Sequence, residues 1–207
     1  FSCPVSGFSN AMAISVSSQE ISAEDWVVPL SCKGKTLAEA YGEMGRFGMG
    51  QEDVPWIVQM VENPKWDLPG IDVFHGAATL ETHDYIHILL GRGMLPRDEA
   101  FVIGFTMGST NRVTSTEERL YTLFARYLYP KAFQFDDEDI HVFKDAVRLG
   151  YISDCQPLSE VDYEKYLDWE IGAIRTEVGL EESLLRSYYE VERRRYPEAV
   201  ASKRLLD

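Results

Sequence analysis

No clear alternation of apolar and polar residues runs beyond four positions anywhere in this chain, so nothing supplies the half-buried strand of a sheet. What the chain shows instead is helical spacing punctuated by caps and stops. Leu37, Ala40, Tyr41, Met44 and Phe47 fall at helical intervals and predict a helix over 37–49. Asp53 with Pro55 starts a second, and Asn63-Pro64 stops it. Residues 65–76 read as loop around Pro69-Gly70. Further helices are expected over 79–90, ended by Gly91, and over 96–107, opened by Pro96. Ser115 to Glu118 is a capping-box pattern, and its helix ends near Tyr129-Pro130. Helices over 136–149, 159–177 and 181–196 complete the series, closed by Gly150 in the first case and Pro197 in the last. The expected fold is all-α, a single-domain bundle of about seven or eight helices.

The 207 residues suit one domain. Residues 1–11 read as an expression tag ahead of a start at Met12, which leaves 12–207 as the helical domain. A formal charge of −14 argues against binding a phosphate backbone, so no nucleic-acid partner is expected. No stretch of 18 apolar residues occurs to span a bilayer. Cys3, Cys32 and Cys155 are too few and too scattered for a disulfide scaffold, lack a catalytic signature, and read as inert. A cytoplasmic location fits these features best. The sequence leaves the oligomeric state open, a homo-oligomer included.

One constellation carries chemistry. Of the four histidines, His83 and His87 share the helix 79–90 with Asp84. At 100° per residue, His87 lies about 40° and Asp84 about 100° from His83. The i, i+4 spacing lets two imidazoles meet one ion. Ile86, Leu90, Leu80 and Ile88 interleave with these polar positions, which turns the set toward the interior. A buried histidine–carboxylate set needs partners, and a divalent metal or a hydrogen-bonded network would each serve. Glu99 sits in the first turn of the next helix, beyond Gly91-Arg92-Gly93-Met94-Leu95-Pro96. A tight turn can bring it opposite His83 and His87, although acids also favour helix starts for the dipole alone.

The pattern His83-Asp84-x-x-His87, eleven residues, then Glu99 resembles the signature of the coenzyme Q biosynthesis protein 4 family. The likeness covers roughly residues 79–107. It implies a helical protein that holds one divalent metal, usually taken as zinc, through His83, Asp84, His87 and Glu99. It further implies a role in ubiquinone biosynthesis, in oxidative removal of the C1 carboxyl from a polyprenylated aromatic ring. Other quinone-biosynthesis proteins are the implied partners, and a peripheral position on the inner membrane surface the implied setting. Zinc has no redox chemistry, whereas two histidines and a carboxylate with open positions are the pattern of iron oxygenases. Iron is therefore the redox-capable alternative. A non-catalytic carrier or scaffold for prenyl lipid, with a structural metal, is the rival reading. The helices over 37–49 and 54–61 could supply an apolar groove for a prenyl tail, or pack as ordinary helices.

Glu138-x-x-His141 pairs formally with Asp84-x-x-His87, and two such motifs with further acids would make a di-metal carboxylate site. The acidic start Asp136-Asp137-Glu138-Asp139 also suits a helix dipole without metal. His83-Asp84 resembles the start of an HD-type phosphohydrolase site, but His75 stands only eight residues before it. Arg193-Arg194-Arg195 could touch lipid headgroups, or form a solvated face balanced by Glu190 and Glu192.

Overall fold

The computed structural model describes residues 26–45, 80–111 and 135–206. Among the described residues the protein is all-α, as expected, with no strand. In chain order the helices are α1 (Leu37–Met44), α2 (Leu80–Leu90), α3 (Pro96–Ser109), α4 (Asp137–Ile152), α5 (Ile171–Glu177), α6 (Glu182–Arg195) and α7 (Val200–Lys203). Two 3₁₀ turns, Leu158–Glu160 and Tyr163–Tyr166, lie between α4 and α5. The expected helices over 53–63 and 115–129, the loop over 65–76 and the tag over 1–11 lie outside the described residues.

Caps decide where the helices begin. The Thr36 hydroxyl accepts from the Glu39 amide at 3.2 Å, and the Glu39 carboxylate accepts from the Thr36 amide at 3.0 Å. Asp136 and Asp139 repeat this reciprocal pair at the start of α4, at 2.8 and 3.1 Å. At α3, Pro96 takes the first turn and the Asp98 carboxylate accepts from the Leu95 amide at 3.2 Å.

α1 closes at Met44 with Gly45 as its cap, short of the expected 49, and α3 runs two residues past 107 to Ser109. Three further boundaries differ from expectation. Residues 159–177 do not form one helix. Their backbone is drawn to the 33–38 segment instead. The amides of Leu37 and Ala38 donate to the carbonyls of Trp169 and Leu167, and the amides of Ile171 and Gly172 donate to Lys35 and Lys33. The first amides of α1, which have no partner within their own helix, thereby find acceptors in another segment. Second, α4 runs through Gly150 to Ile152. Gly150 is spent on packing: a Cβ there would collide with the Phe105 carbonyl of α3. Third, α7 follows the Pro197 stop and was not expected.

α3 and α4 form the most intimately packed helix pair. Gly104 and Gly108, one turn apart on α3, face the Phe143 and Val147 carbonyls of α4 with no room for a side chain. Phe101 on α3 stacks on Phe105 and Tyr188 and meets Tyr189 edge-on. One apolar cluster unites all three described stretches, from Trp26 and Leu30 through Ile86 and Phe101 to Tyr189 and Leu205. Cys155 is a free buried thiol, whereas Cys32 is disulfide-bonded.

Candidate metal centre

The histidines ride on α2, whose C-terminal end is unusually well held. Gly91 takes a positive φ of 69°. The Arg92 amide donates to the His87 carbonyl at 3.0 Å and the Gly91 amide to Ile88 at 3.3 Å, a Schellman closure. The remaining carbonyls are satisfied from afar. Arg175 of α5 donates to Leu89 at 2.8 Å and to Ile88 at 3.2 Å. The Tyr189 hydroxyl of α6 donates to Leu90 at 2.6 Å. The last turn of α2 is therefore fixed, and His87 with it.

Beyond the turn, α3 brings Glu99 back onto the histidines. His83 Nε2 lies 2.8 Å from Glu99 Oε1, and His87 Nε2 lies 3.1 Å from Glu99 Oε2. The two Nε2 atoms are 3.0 Å apart. His87 Nδ1–H donates to the Gly93 carbonyl at 2.7 Å. A carbonyl only accepts, so the proton of a neutral His87 sits on Nδ1 and the Nε2 lone pair faces inward. That lone pair meets a second imidazole nitrogen and a carboxylate. Three electron-rich groups so arranged repel one another unless a proton or a cation lies among them.

The protein compensates with charge. Burial acts to lower the His83 imidazole, but the adjoining Glu99 carboxylate, with help from Asp84, outweighs it and raises the value. Burial acts to raise Glu99, but His83 and His87 overcome it and hold the carboxyl well below the usual carboxylate range. Asp84 is raised by burial, against the pull of both imidazoles.

Among the described residues, His83, His87 and Glu99 form the one set of three whose donor atoms converge as metal ligands would. Their separations suit donors about 2.0–2.1 Å from one ion. The Gly93 carbonyl behind His87 is the orienting partner that ligating histidines require. The residues therefore fit a divalent metal. His87 is nearly enclosed, at 3% side-chain exposure, while His83 and Glu99 keep 22% and 19%. The cluster is therefore more exposed on the side of His83 and Glu99 than on that of His87.

Of the four residues singled out in the sequence, three converge and Asp84 does not join them. It stands one position along α2, half-buried, within electrostatic reach of all three. The second motif is not brought to the first. Glu138 is exposed and pairs with Arg97 of α3 at 2.5 Å, next to the Arg97–Asp139 bond at 3.0 Å. His141 is exposed on α4. His75 lies outside the described residues. In the basic run, Arg194 pairs with Glu190 and Arg195 with Asp145, but Glu192 does not balance this face. It turns inward to Arg92.

That inward pair is what sequence reasoning missed. Arg92 is wholly buried and grips Glu192 with two hydrogen bonds, at 3.0 and 2.6 Å. Its guanidinium also lies 3.9 Å from the centre of the Phe101 ring. Asp98, wholly buried beside Glu99, pairs with Arg204. The only sequence signal was the pattern Gly91-Arg92-Gly93 itself, a charged residue locked between two glycines. Comparison with models of known protein families, with curated proteins and with solved structures found no match to this chain.

Proposed function

We propose that this chain is a metalloprotein of ubiquinone-type biosynthesis, holding one divalent ion through His83, His87 and Glu99 and acting at C1 of a carboxylated, prenylated aromatic ring. The observation that carries the reading is the inward-facing Nε2 lone pair of His87, fixed by the Gly93 carbonyl and set against a second imidazole and a carboxylate. The signature His83-Asp84-x-x-His87…Glu99 supplies the substrate class. When bound, the ion would supply Lewis-acid polarisation of a ring oxygen if zinc, or dioxygen chemistry if iron.

The side chains divide the remaining work. His83, His87 and Glu99 hold the ion on a rigid turn. Asp84, with its raised carboxyl, holds or passes a proton at the edge of the site. The partial exposure of His83 and Glu99 supports a catalytic reading, since a reacting group could reach the ion from that side. No helix among the described residues is long and apolar enough to cross a membrane. In this reading the chain meets its lipid at the inner membrane surface from the cytoplasmic side, with other quinone-biosynthesis proteins as partners.

The test is metal content per chain by mass spectrometry, on protein purified without a chelating column, beside His87→Ala. We expect one equivalent in the wild type and none in the variant. Metal retained by the variant would refute the ligand assignment. Release of carbon dioxide from a prenylated, carboxylated ring then separates the enzyme from a lipid-carrying scaffold, which would bind the ring without turnover.

A further inference from the structure

The turn that joins the helices bearing His83, His87 and Glu99 packs against Leu30 and Trp26 and is anchored by polar side chains of one distant segment. On its N-terminal side, Arg92 is gripped by Glu192 of α6. The same Glu192 carboxylate accepts from the Ser202 hydroxyl of α7 at 2.9 Å. On its C-terminal side, Asp98 pairs with Arg204, just past α7, and also accepts from the Leu95 amide. Between them sits Gly93, packed so closely against the Arg204 guanidinium and the Trp26 carbonyl that no Cβ would fit. Arg92, Asp98, Glu192 and Ser202 are all essentially buried.

These anchors meet the turn at its two chemically decisive points. One is Gly93, whose carbonyl sets the His87 tautomer. The other is Asp98, the residue directly before the ligand Glu99. A guanidinium resting on Gly93 while bonding Asp98 fixes the distance between them, and hence how His87 and Glu99 face each other.

We propose that Arg204 and Glu192 are positioning residues of the metal centre, and that docking of the 192–204 segment sets its affinity for the ion. This rests on the metal reading given above. Neither residue touches the donor atoms; each acts through the turn. Loss of such an outer partner weakens metal affinity by about 10–100-fold.

The experiment titrates zinc, and cobalt(II) as a spectroscopic stand-in, against a competing chelator. It compares wild type with Arg204→Met, Arg204→Lys and Ser202→Ala, with Lys203→Met as control. Among the described residues, Lys203 pairs with the exposed Glu198 at the surface. In parallel, the ¹⁵N signals of the His87 ring are read in metal-free protein, and circular dichroism checks the fold. We expect Arg204→Met to lose about ten-fold or more in affinity, to alter the cobalt spectrum, and to weaken the Nδ1–H signature of His87. Arg204→Lys should restore part of the affinity, Ser202→Ala should show a smaller loss, and the control should match wild type. Unchanged affinity and an unchanged ring signal in folded Arg204→Met overturn the proposal. Should that variant fail to fold, unchanged values in both Arg204→Lys and Ser202→Ala overturn it equally. A wild type that binds no metal refutes the metal reading instead; the His87 ring signal in the metal-free variants then decides whether Arg204 sets the tautomer.

Discussion

At the scale of single residues, the His83–Glu99 pair ties the site to pH. In the metal-free chain the Glu99 carboxyl is depressed below its ordinary 4.5, so its contribution to stability is present above 4.5 and lost as pH falls through the lowered value. The His83 imidazole is raised above its ordinary 6.5, so its contribution is full below 6.5 and lost as pH rises through the raised value. Both contributions are therefore greatest between about 4.5 and 6.5. Binding of the proposed metal would have the opposite slope on the alkaline side, because ligation needs a neutral imidazole and the proton must leave first. Urea midpoints of chelator-treated protein across pH should fall on both sides of that window, and Glu99→Gln should flatten both limbs. An unchanged profile in that variant would show that the pair does not couple to folding. The convergence of His83, His87 and Glu99 was legible in the sequence, because i, i+4 spacing and a five-residue turn leave little freedom. The Gly93 carbonyl was not, since every residue owns a carbonyl and no letter marks the one that is used.

At the scale of elements, the glycines of α3 reverse an ordinary rule. In an exposed helix, Gly→Ala stabilises by about 0.5–1 kcal/mol. At Gly108 the new methyl would lie on the Val147 carbonyl of α4, where backbone cannot yield. Gly108→Ala should therefore destabilise by roughly 1–3 kcal/mol, the range for overpacking. A rise in the urea midpoint would show that α3 and α4 can part without cost. The sequence foretold where α1 and α4 begin, because a capping box is local and its partners lie three residues apart. It did not foretell the break-up of 159–177, because the competing partners are backbone groups at 33–38. Gly150 misled for a related reason: glycine marks helix ends and close helix approaches alike, and only the neighbour decides which.

At the scale of the whole molecule, Arg175 joins three distant stretches. It is wholly buried, and its hydrogen bonds go to the carbonyls of Leu30, Cys32, Ile88 and Leu89. Burial holds its guanidinium down to about 10, against the pull of Glu182. Arg175→Leu would keep the apolar contact but strand at least the Leu30 and Leu89 oxygens. Each such orphan costs about 1–3 kcal/mol, so a loss on the order of 3 kcal/mol is expected by urea denaturation. Arg175→Lys should recover only part, since one ammonium cannot span that fork of acceptors. A loss under about 1 kcal/mol would mean that water replaces the guanidinium there. None of this reach was legible, because a buried arginine and a surface arginine are spelled alike. The grip on the turn before Glu99 spans comparable distances: Glu192 lies 100 positions after Arg92, and Arg204 lies 106 after Asp98. On a ribosome adding about 5–20 residues per second, His83, His87 and Glu99 emerge several seconds before their anchors exist. During that interval the nascent chain displays these three side chains without the frame that aims them, so on the metal reading proposed above an ion would load only after translation has passed residue 204.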